Sequence, residues 1–589
     1  MTQPFRTLPD ALDHAAEKYP SKGFVFVADD GAEDNWSFPR LRTRAREIAA
    51  ALAERGMRKG DHVALVLPTA DEFIPTFLGV TQGGGVPVPL YPPMGMGQLG
   101  GYLDHCKHIV RASRAGLLVT TSQIKTVLGT VREAAPDLRA LLTYRDLDAS
   151  ESLYRSPGLT LDDRAFIQFT SGSTSRPKGV VLTHGNLASN CRAIMSEGLV
   201  IRDDDRGTSW LPLFHDMGLI GFVIAPVLHT TSVSFLSPMT FLKRPAMWLQ
   251  TISKHKGTIT YAPNFAYALA TKRVRDDELA GVDLSSVRVA GCGAEPIQAD
   301  TLRAFAKRYE KYGFRESAFV PSYGMAESTL AIAFSTGVPT ERVRADSLWE
   351  QGSAELAGAD DMNAVEIVGC GRHFAEHGMR IVHSETGEVL PERRVGEIQL
   401  KGPSVTQGYF EDPEKTAETL DAEGWLRTGD LGYLADGQIF ICGRKKDVII
   451  VNGKNYYPQD LEWIASNVPG VRTGNVVAFP STKSGLDREA VVVVAESKSA
   501  DGREALATAV RAEIQKALGI VPDEVVIADA GTIPKTSSGK IQRARARALY
   551  ESGELRKRET EGTVEIAKRV IESQLAHLKL GIFGRRGAK

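Results

Sequence analysis

At 589 residues the chain is longer than one apolar core supports, so two or more domains are expected. Hydrophobic residues make up 42% of it and charged residues 24%, the proportions of a soluble globular enzyme. A formal net charge of −1 provides no field for nucleic acid or for an anionic membrane surface, and excludes both as bulk partners.

The five cysteines (Cys106, Cys191, Cys292, Cys370 and Cys442) lie far apart, form no CxxC pair and are odd in number. That argues against a disulfide framework and a zinc site, and fits a reducing compartment. Arg6, Asp10 and Asp13 interrupt the N-terminal apolar residues, so no signal-peptide core is expected. The most apolar long segment, Met217–Leu228, contains Pro226 and stops at His229, too short for a bilayer. The expectation is a cytoplasmic protein with no transmembrane segment.

In chain order, Arg42–Arg55 places Ile48, Ala49, Leu52 and Ala53 on one side, an amphipathic helix stopped by Gly56. Val63–Leu67 reads as a strand, Asp71–Val80 as a helix, and Val86–Leu90 and Leu117–Thr120 as further strands. This alternation favours a mostly parallel sheet covered by helices. Pro87, Pro89, Pro92 and Pro93 predict a rigid loop. Ala165–Phe169 reads as a buried strand and Val180–Leu182 as its apolar successor. From about residue 340 the texture changes: Glu341–Asp361 is polar without a strong period, an inserted or irregular segment. Met379–Val382, Glu397–Lys401 and Gln438–Cys442 alternate like half-exposed strands of a β-rich subdomain. Gly443–Asp447 is a basic junction. Beyond it, apolar Val448–Val451 starts a new unit with strands near Asn475–Phe479 and Ala490–Ala495 and a helix near Arg503–Leu518 between the latter and Val525–Ile527, a small α+β domain. In the tail, Val564, Ala567, Ile571, Leu575 and Leu578 form one helical stripe, expected to pack on its own domain.

Between Phe169 and Gly179 lies a hydroxyl- and glycine-rich loop: Thr170, Ser171, Gly172, Ser173, Thr174 and Ser175, then Arg176, Pro177 and Lys178. Backbone N–H groups, hydroxyls and a lysine suit a polyphosphate, although no Gly-x₄-Gly-Lys frame can be drawn. On composition alone the stretch is equally a flexible surface linker. Leu213–Leu219 sets His215 and Asp216 among apolar residues, where a lone histidine is more often structural than catalytic. Gly291–Pro296, with Gly293, Ala294 and Glu295, is a strand-to-loop turn that permits close backbone approach. Pro321–Ser328 brings Ser322, Tyr323, Gly324, Met325, Ala326 and Glu327: an aromatic face for a base and one carboxylate for Mg²⁺. Trp425–Asp430 ends in a carboxylate suited to ribose hydroxyls. Pro534–Lys540 carries a lysine on a second hydroxyl-rich loop, ordinary solvated surface unless the fold brings it to the first.

Together and in this order, these six segments resemble the adenylate-forming superfamily of acyl-CoA synthetases, luciferases and peptide-synthetase adenylation domains, across roughly residues 8 to 548. The resemblance implies an α/β fold. Its large N-terminal domain (1–445) has mixed sheets flanked by helices plus a β-rich subdomain. A small, mobile α+β lid (446–589) ends in a basic tail. It implies ATP and Mg²⁺ as cofactors, with Thr170–Thr174 and Lys178 on the phosphates. Gly293, Ala294, Glu295 and Ser322–Ala326 line the nucleotide pocket around Tyr323. Glu327 holds Mg²⁺, and Asp430 and Arg444 bind the ribose. Lys540, with Glu327 and His215, serves catalysis, and Lys446 is the hinge. On this resemblance His215 walls the acyl site, reversing the structural preference.

Within the superfamily the chain looks most like the fatty acyl-AMP ligases, on Pro87–Pro93, Phe214–Leu219, Val368–Gly371 and the long stretch from Glu327 to Gly369. Gly369 stands where that branch commonly has serine. The implied partners are a fatty acid and, as acceptor, the phosphopantetheine thiol of an acyl carrier protein in trans, since no carrier motif follows residue 550. Coenzyme A is the alternative acceptor. A silent acyl or nucleotide sensor need not retain Lys540, Glu327 and Asp430 together.

Overall fold

Ser37 starts the first amphipathic helix. Its hydroxyl accepts a hydrogen bond from Arg40 N, and Pro39 occupies the first turn, where a missing N–H costs nothing. The helix runs Phe38–Glu54, buries Leu41, Ala45, Ile48, Ala49 and Leu52, and ends at Gly56, whose φ of +82° suits glycine. The computed structural model describes residues 6–93, 99–170, 177–361, 364–451, 454–481, 489–499, 501–536, 539–555 and 572–573. The expected α/β alternation follows as strand His62–Val66, helix Ala70–Gln82 and strands Val86–Pro89 and Leu117–Thr120. With Ala140–Thr143 these strands form a four-stranded parallel sheet. Pro87 and Pro89 are accommodated because Val86–Pro89 is the edge strand, so they lie within a strand rather than in the expected loop.

A larger sheet was only partly legible. Nine strands run in the order Arg372–His373, Ala331–Phe334, Phe319–Gly324, Val289–Cys292, Ile259–Ala262, Arg206–Ser209, Ser232–Phe235, Gly23–Val27 and Glu33–Ser37. Its centre is parallel and its edges antiparallel. Several members are four residues long, and Arg206–Ser209 buries Gly207, Thr208 and Ser209 with no apolar run to announce it. Strand Arg164–Thr170 pairs antiparallel with Lys178–Thr183, Thr170 opposite Lys178, so the hydroxyl-rich loop is the tip of a hairpin. Residues 171–176 of that tip lie outside the described residues.

The β-rich part is a four-stranded antiparallel sheet of Gly378–Val382, Gly396–Lys401, Leu426–Ala435 and Gln438–Arg444. Glu341–Asp361 is not irregular, as its weak period suggested. Strand Thr340–Arg344 pairs with Ala364–Val368, and helix Ala345–Gln351 buries Leu348 and Trp349. The partner strand lies beyond the polar stretch, so local period carried no sign of the pairing. Gly369 also gains an explanation. A Cβ there would sit 3.1 Å from the Phe440 ring, which stacks flat on Tyr433, and glycine leaves that ring its place.

The smaller C-terminal part holds hairpin Ile449–Val451/Lys454–Tyr456, helix Pro458–Ser466, and a sheet of Val471–Ser481, Ala490–Ser497 and Glu524–Asp529 covered by helix Arg503–Leu518. One apolar cluster is common to it and the segment after residue 340, with Val343, Trp349 and Phe440 on one side and Tyr456, Leu461 and Val491 on the other. All five residues of the tail stripe lie outside the described residues. Ser573 is buried against Gly129, which donates its N–H to Ser573 Oγ at 2.7 Å. At that point the chain meets the N-terminal part, a long-range contact that no local period encodes.

Candidate active site

A connected cavity of about 2,940 Å³ lies between the sheets and the C-terminal part. Every expected site residue among those described lines it: Thr170, Lys178, His215, Gly293, Ala294, Glu295, Ser322 to Glu327, Asp430, Arg444, Lys446 and Lys540. Ser171, Gly172, Ser173 and Thr174 lie outside the described residues.

Asp430 is the best-defined group. It lies opposite Arg444 in the antiparallel ladder, so the two side chains meet, with Arg444 Nε 2.9 Å from Asp430 Oδ1. Tyr323 Oη donates to Asp430 Oδ2 at 2.7 Å. The triad joins strands of two sheets and leaves the carboxylate lone pairs for further hydroxyl donors. Beside it, Gly293 and Ser322 approach so closely that a Cβ at Gly293 would stand 3.0 Å from Ser322 O. Ala294 takes a left-handed φ of +69°, an unfavourable conformation for a residue with a Cβ.

Glu327 follows in a 3₁₀ turn after strand Phe319–Gly324, and its backbone carbonyl accepts from Thr406 N. Its carboxylate accepts from Tyr409 Oη at 2.8 Å, and burial holds its pKa above the ordinary carboxylate range. Two residues on, Thr329 has φ +65° and ψ −67° and is held by donation to Ser404 O at 2.6 Å. Strained backbone thus lies beside both the Gly293–Ser322 approach and the carboxylate. A single buried carboxylate with one neutral donor suits Mg²⁺, which is usually held by one or two protein oxygens together with phosphates and water. No group of three or more metal-ligating side chains occurs among the described residues.

Lys178 stands 5.7 Å over the Tyr409 ring, its pKa lowered first by burial and then by Lys415. Lys446 is lowered by burial, then by Arg444, with smaller contributions from Lys178 and Lys415. Lys446 thus feels Arg444, Lys178 and Lys415 in the cavity that Glu327 also lines, an arrangement suited to a polyphosphate. Lys446 sits in the turn Lys445–Asp447, whose Lys445 Nζ is 3.2 Å from Glu397 Oε2.

His215 precedes the helical turn Asp216–Leu219. Burial, then the charge of Lys540, lowers its pKa to about 3, so the ring is neutral. Its Nε2 is buried with no hydrogen-bond partner among the described residues. Gln168, on strand Arg164–Thr170, donates to Phe214 O at 2.9 Å and ties that strand to the His215 turn. The same Lys540 charge acts on Asp216 and Glu295, so the second hydroxyl-rich loop reaches the cavity beside the His215 turn and the Gly291–Pro296 turn. Glu295 lines the cavity, but its Oε1 accepts from Phe265 N at 2.6 Å near the start of helix Asn264–Arg273.

Sequence reasoning missed Tyr409, Lys415 and Gln168. Tyr409 and Lys415 belong to a connecting segment whose Phe410 N donates to Gly179 O, a crossing that no local spacing announces.

Residues 12–410 match the AMP-binding enzyme family, and residues 446–560 match the AMP domain of Disco-interacting protein 2-like proteins. The chain belongs to the AMP-binding enzyme family and is an enzyme of the ligase class. A Caulobacter vibrioides (strain NA1000 / CB15N) protein provisionally named an acyl-CoA synthetase is 37% identical, over 93% of this chain and 96% of its own. The medium-chain-fatty-acid–[acyl-carrier-protein] ligase JamA of Moorena producens (strain JHB) is 34% identical, over 94% and 97%. A solved chain from a structural study of fatty acyl-adenylate ligases from E. coli and L. pneumophila superposes with a TM-score of 0.87 at 37% identity, over 94% and 99%.

Proposed function

We propose that this enzyme activates a medium- to long-chain fatty acid with ATP as an acyl-adenylate, releasing pyrophosphate. It then passes the acyl group to the phosphopantetheine thiol of a carrier protein in trans, in the cytoplasm. The observation that carries the reading is the convergence of Lys540, His215, Glu327 and the Tyr323–Asp430–Arg444 triad on one cavity. The lining of that cavity also includes apolar Leu199, Met217, Phe222, Leu242, Phe265 and Leu269.

The chemistry follows from charge. A carboxylate oxygen bonds to the α-phosphorus while the bond to the β-phosphate oxygen breaks, and two anions must meet for this to happen. Lys540 offsets charge at the substrate carboxylate and α-phosphate, and Lys178 does so on the leaving phosphates. Mg²⁺ held by Glu327 would neutralise phosphate charge. The triad orients the nucleoside through the ribose. Neutral His215 and its apolar neighbours keep water from an adenylate that water would destroy. In this reading residues 446–589 form a lid that turns about Lys446 between adenylation and thiol transfer, while residues 1–445 hold both substrates.

Support for a carrier-protein acceptor comes from the segment after residue 340. Trp349 and Tyr456 lie 5.4 Å apart between ring centres, and Glu350 pairs with Lys454 at 2.5 Å. With the shared apolar cluster, these contacts restrain the lid, the property expected to disfavour free coenzyme A. The relative named an acyl-CoA synthetase favours the second reading, a coenzyme A ligase. Incubation with ATP, Mg²⁺ and a fatty-acid panel, with and without coenzyme A, separates the two. Adenylate should accumulate without acyl-CoA, and acyl-CoA appearing at the rate of adenylate formation would overturn the carrier-protein reading.

A further inference from the structure

Lys540 stands on a short hairpin fastened at both ends by buried charge. At the upstream end Ile533 N donates to Glu496 Oε1 at 2.8 Å, and Glu496, fully buried, is paired with Arg472. Across the hairpin Lys535 bridges Ile541, Thr536 N donates to Lys540 O at 2.7 Å, and Lys540 N donates to Thr536 Oγ1 at 3.0 Å. At the downstream end Arg543 begins helix Arg543–Glu551, and its guanidinium has three attachments. Nη1 donates to Asp447 Oδ2 at 2.6 Å, Nη2 to both oxygens of Glu462 at 2.7 and 3.0 Å, and Nε to Ala478 O at 3.0 Å. All three charged side chains are less than one-fifth exposed.

Asp447 is the residue after Lys446. The first residue beyond the expected pivot is thus held by one planar, multidentate cation that itself stands three positions from Lys540. A lysine could satisfy one of these acceptors but not hold them in fixed mutual angle. We infer that Arg543 is a positioning residue for adenylation: its clamp on Asp447 and Glu462 delivers the angular setting of the pivot to Lys540 without slack. The inference rests on the proposed roles of Lys540 and Lys446. Transfer to a thiol does not draw on Lys540 and therefore does not draw on Arg543.

The test is a double-mutant cycle on the full-length protein. Pyrophosphate release from ATP is followed with Mg²⁺, dodecanoic acid and hydroxylamine to trap the adenylate. Lys540→Ala should lower kcat by about 10²- to 10³-fold, the range for removal of one electrostatic donor at a reacting centre. Arg543→Met should lower kcat by about 30-fold or more with KM for ATP and fatty acid changed less than about threefold, and Arg543→Lys should recover part of the loss. In the Lys540→Ala background, Arg543→Met should add less than about twofold, because its effect runs through the missing lysine. Losses that multiply in the double mutant, or a raised KM at unchanged kcat, would overturn the inference alone. A wild-type rate for Lys540→Ala would overturn the reading beneath it as well. If Arg543→Met does not fold by circular dichroism, Asp447→Asn carries the same cycle and the same outcomes.

Discussion

Acidification is a sharp probe of how this protein is held together, because several histidines are held below their ordinary pKa chiefly by desolvation. His215 is lowered to about 3, and His105, His184 and His229 to about 4, each primarily by burial. In the unfolded chain each returns to about 6.5, so unfolding takes up protons as pH falls through that value. These folded pKa values lie below the unfolded ones. The associated stability is therefore complete above pH 6.5 and is lost on acidification, with the loss levelling off only near the folded values. At pH 6 the four unfolded histidines bind about three protons in total, and the folded ones almost none. Asp460, pushed up to about 7 by burial and then by Glu462, runs the other way and withdraws about one. Taken by themselves, these five groups give a net uptake of about two protons, a contribution of ~3 kcal/mol per pH unit near pH 6. Glu72, Asp216, Glu295 and Glu327, all held above the ordinary carboxylate range by burial, oppose the histidines, whereas His62 and His377, lowered by burial, add to them. Urea unfolding between pH 7 and 5.5, followed by tryptophan fluorescence from buried Trp210 and Trp248, measures the slope. His184→Gln should reduce it by about three-quarters of a proton at pH 6. A stability independent of pH across this window would refute the argument that these rings are buried neutral.

Three further outcomes are expected. Tyr409→Phe removes the 2.8 Å donor to Glu327, and losing a hydrogen bond to a charged group, about 1.5–3 kcal/mol, should weaken Mg²⁺-dependent adenylation by about 10- to 150-fold. Magnesium titration of pyrophosphate release checks this, and an unchanged curve contradicts it. Lys178→Ala should slow adenylation less than Lys540→Ala, because Lys178 is assigned to the leaving phosphates; single-turnover rates in the opposite order would mean the reacting phosphate lies at the first loop. Gly371→Ala should cost ~3 kcal/mol or more in thermal stability, since φ is +83° and the new Cβ would fall 1.8 Å from Phe334 O. A melting temperature within 2 °C of wild type, against the several degrees such a loss implies, would show that the turn can relax.

How much of the site was legible depends on how its chemistry is written into the chain. Residues that work through their own backbone or through a local run could be read directly. Gly293 and Ala294 end a strand, Tyr323 and Glu327 share one strand-to-turn segment, and Lys540 sits in its own hydroxyl-rich loop. Partners that arrive from a distant segment left no local mark. Tyr409 reaches Glu327 across 82 residues, Arg543 reaches Asp447 across 96, and Gly129 meets Ser573 across 444.

The sequence by itself determined the class of architecture and the inventory of reactive groups. Periods of 3.6 and 2, capping residues and loop composition are short-range properties, and each element needs only its own residues to express them. Tertiary structure decided which groups share a cavity, that Glu341–Asp361 is ordered against the C-terminal part, and that His215 is neutral. Those outcomes depend on burial and on long-range pairing. A histidine's charge is set by the water removed around it and by a lysine 325 residues away, and neither quantity exists until the chain has folded.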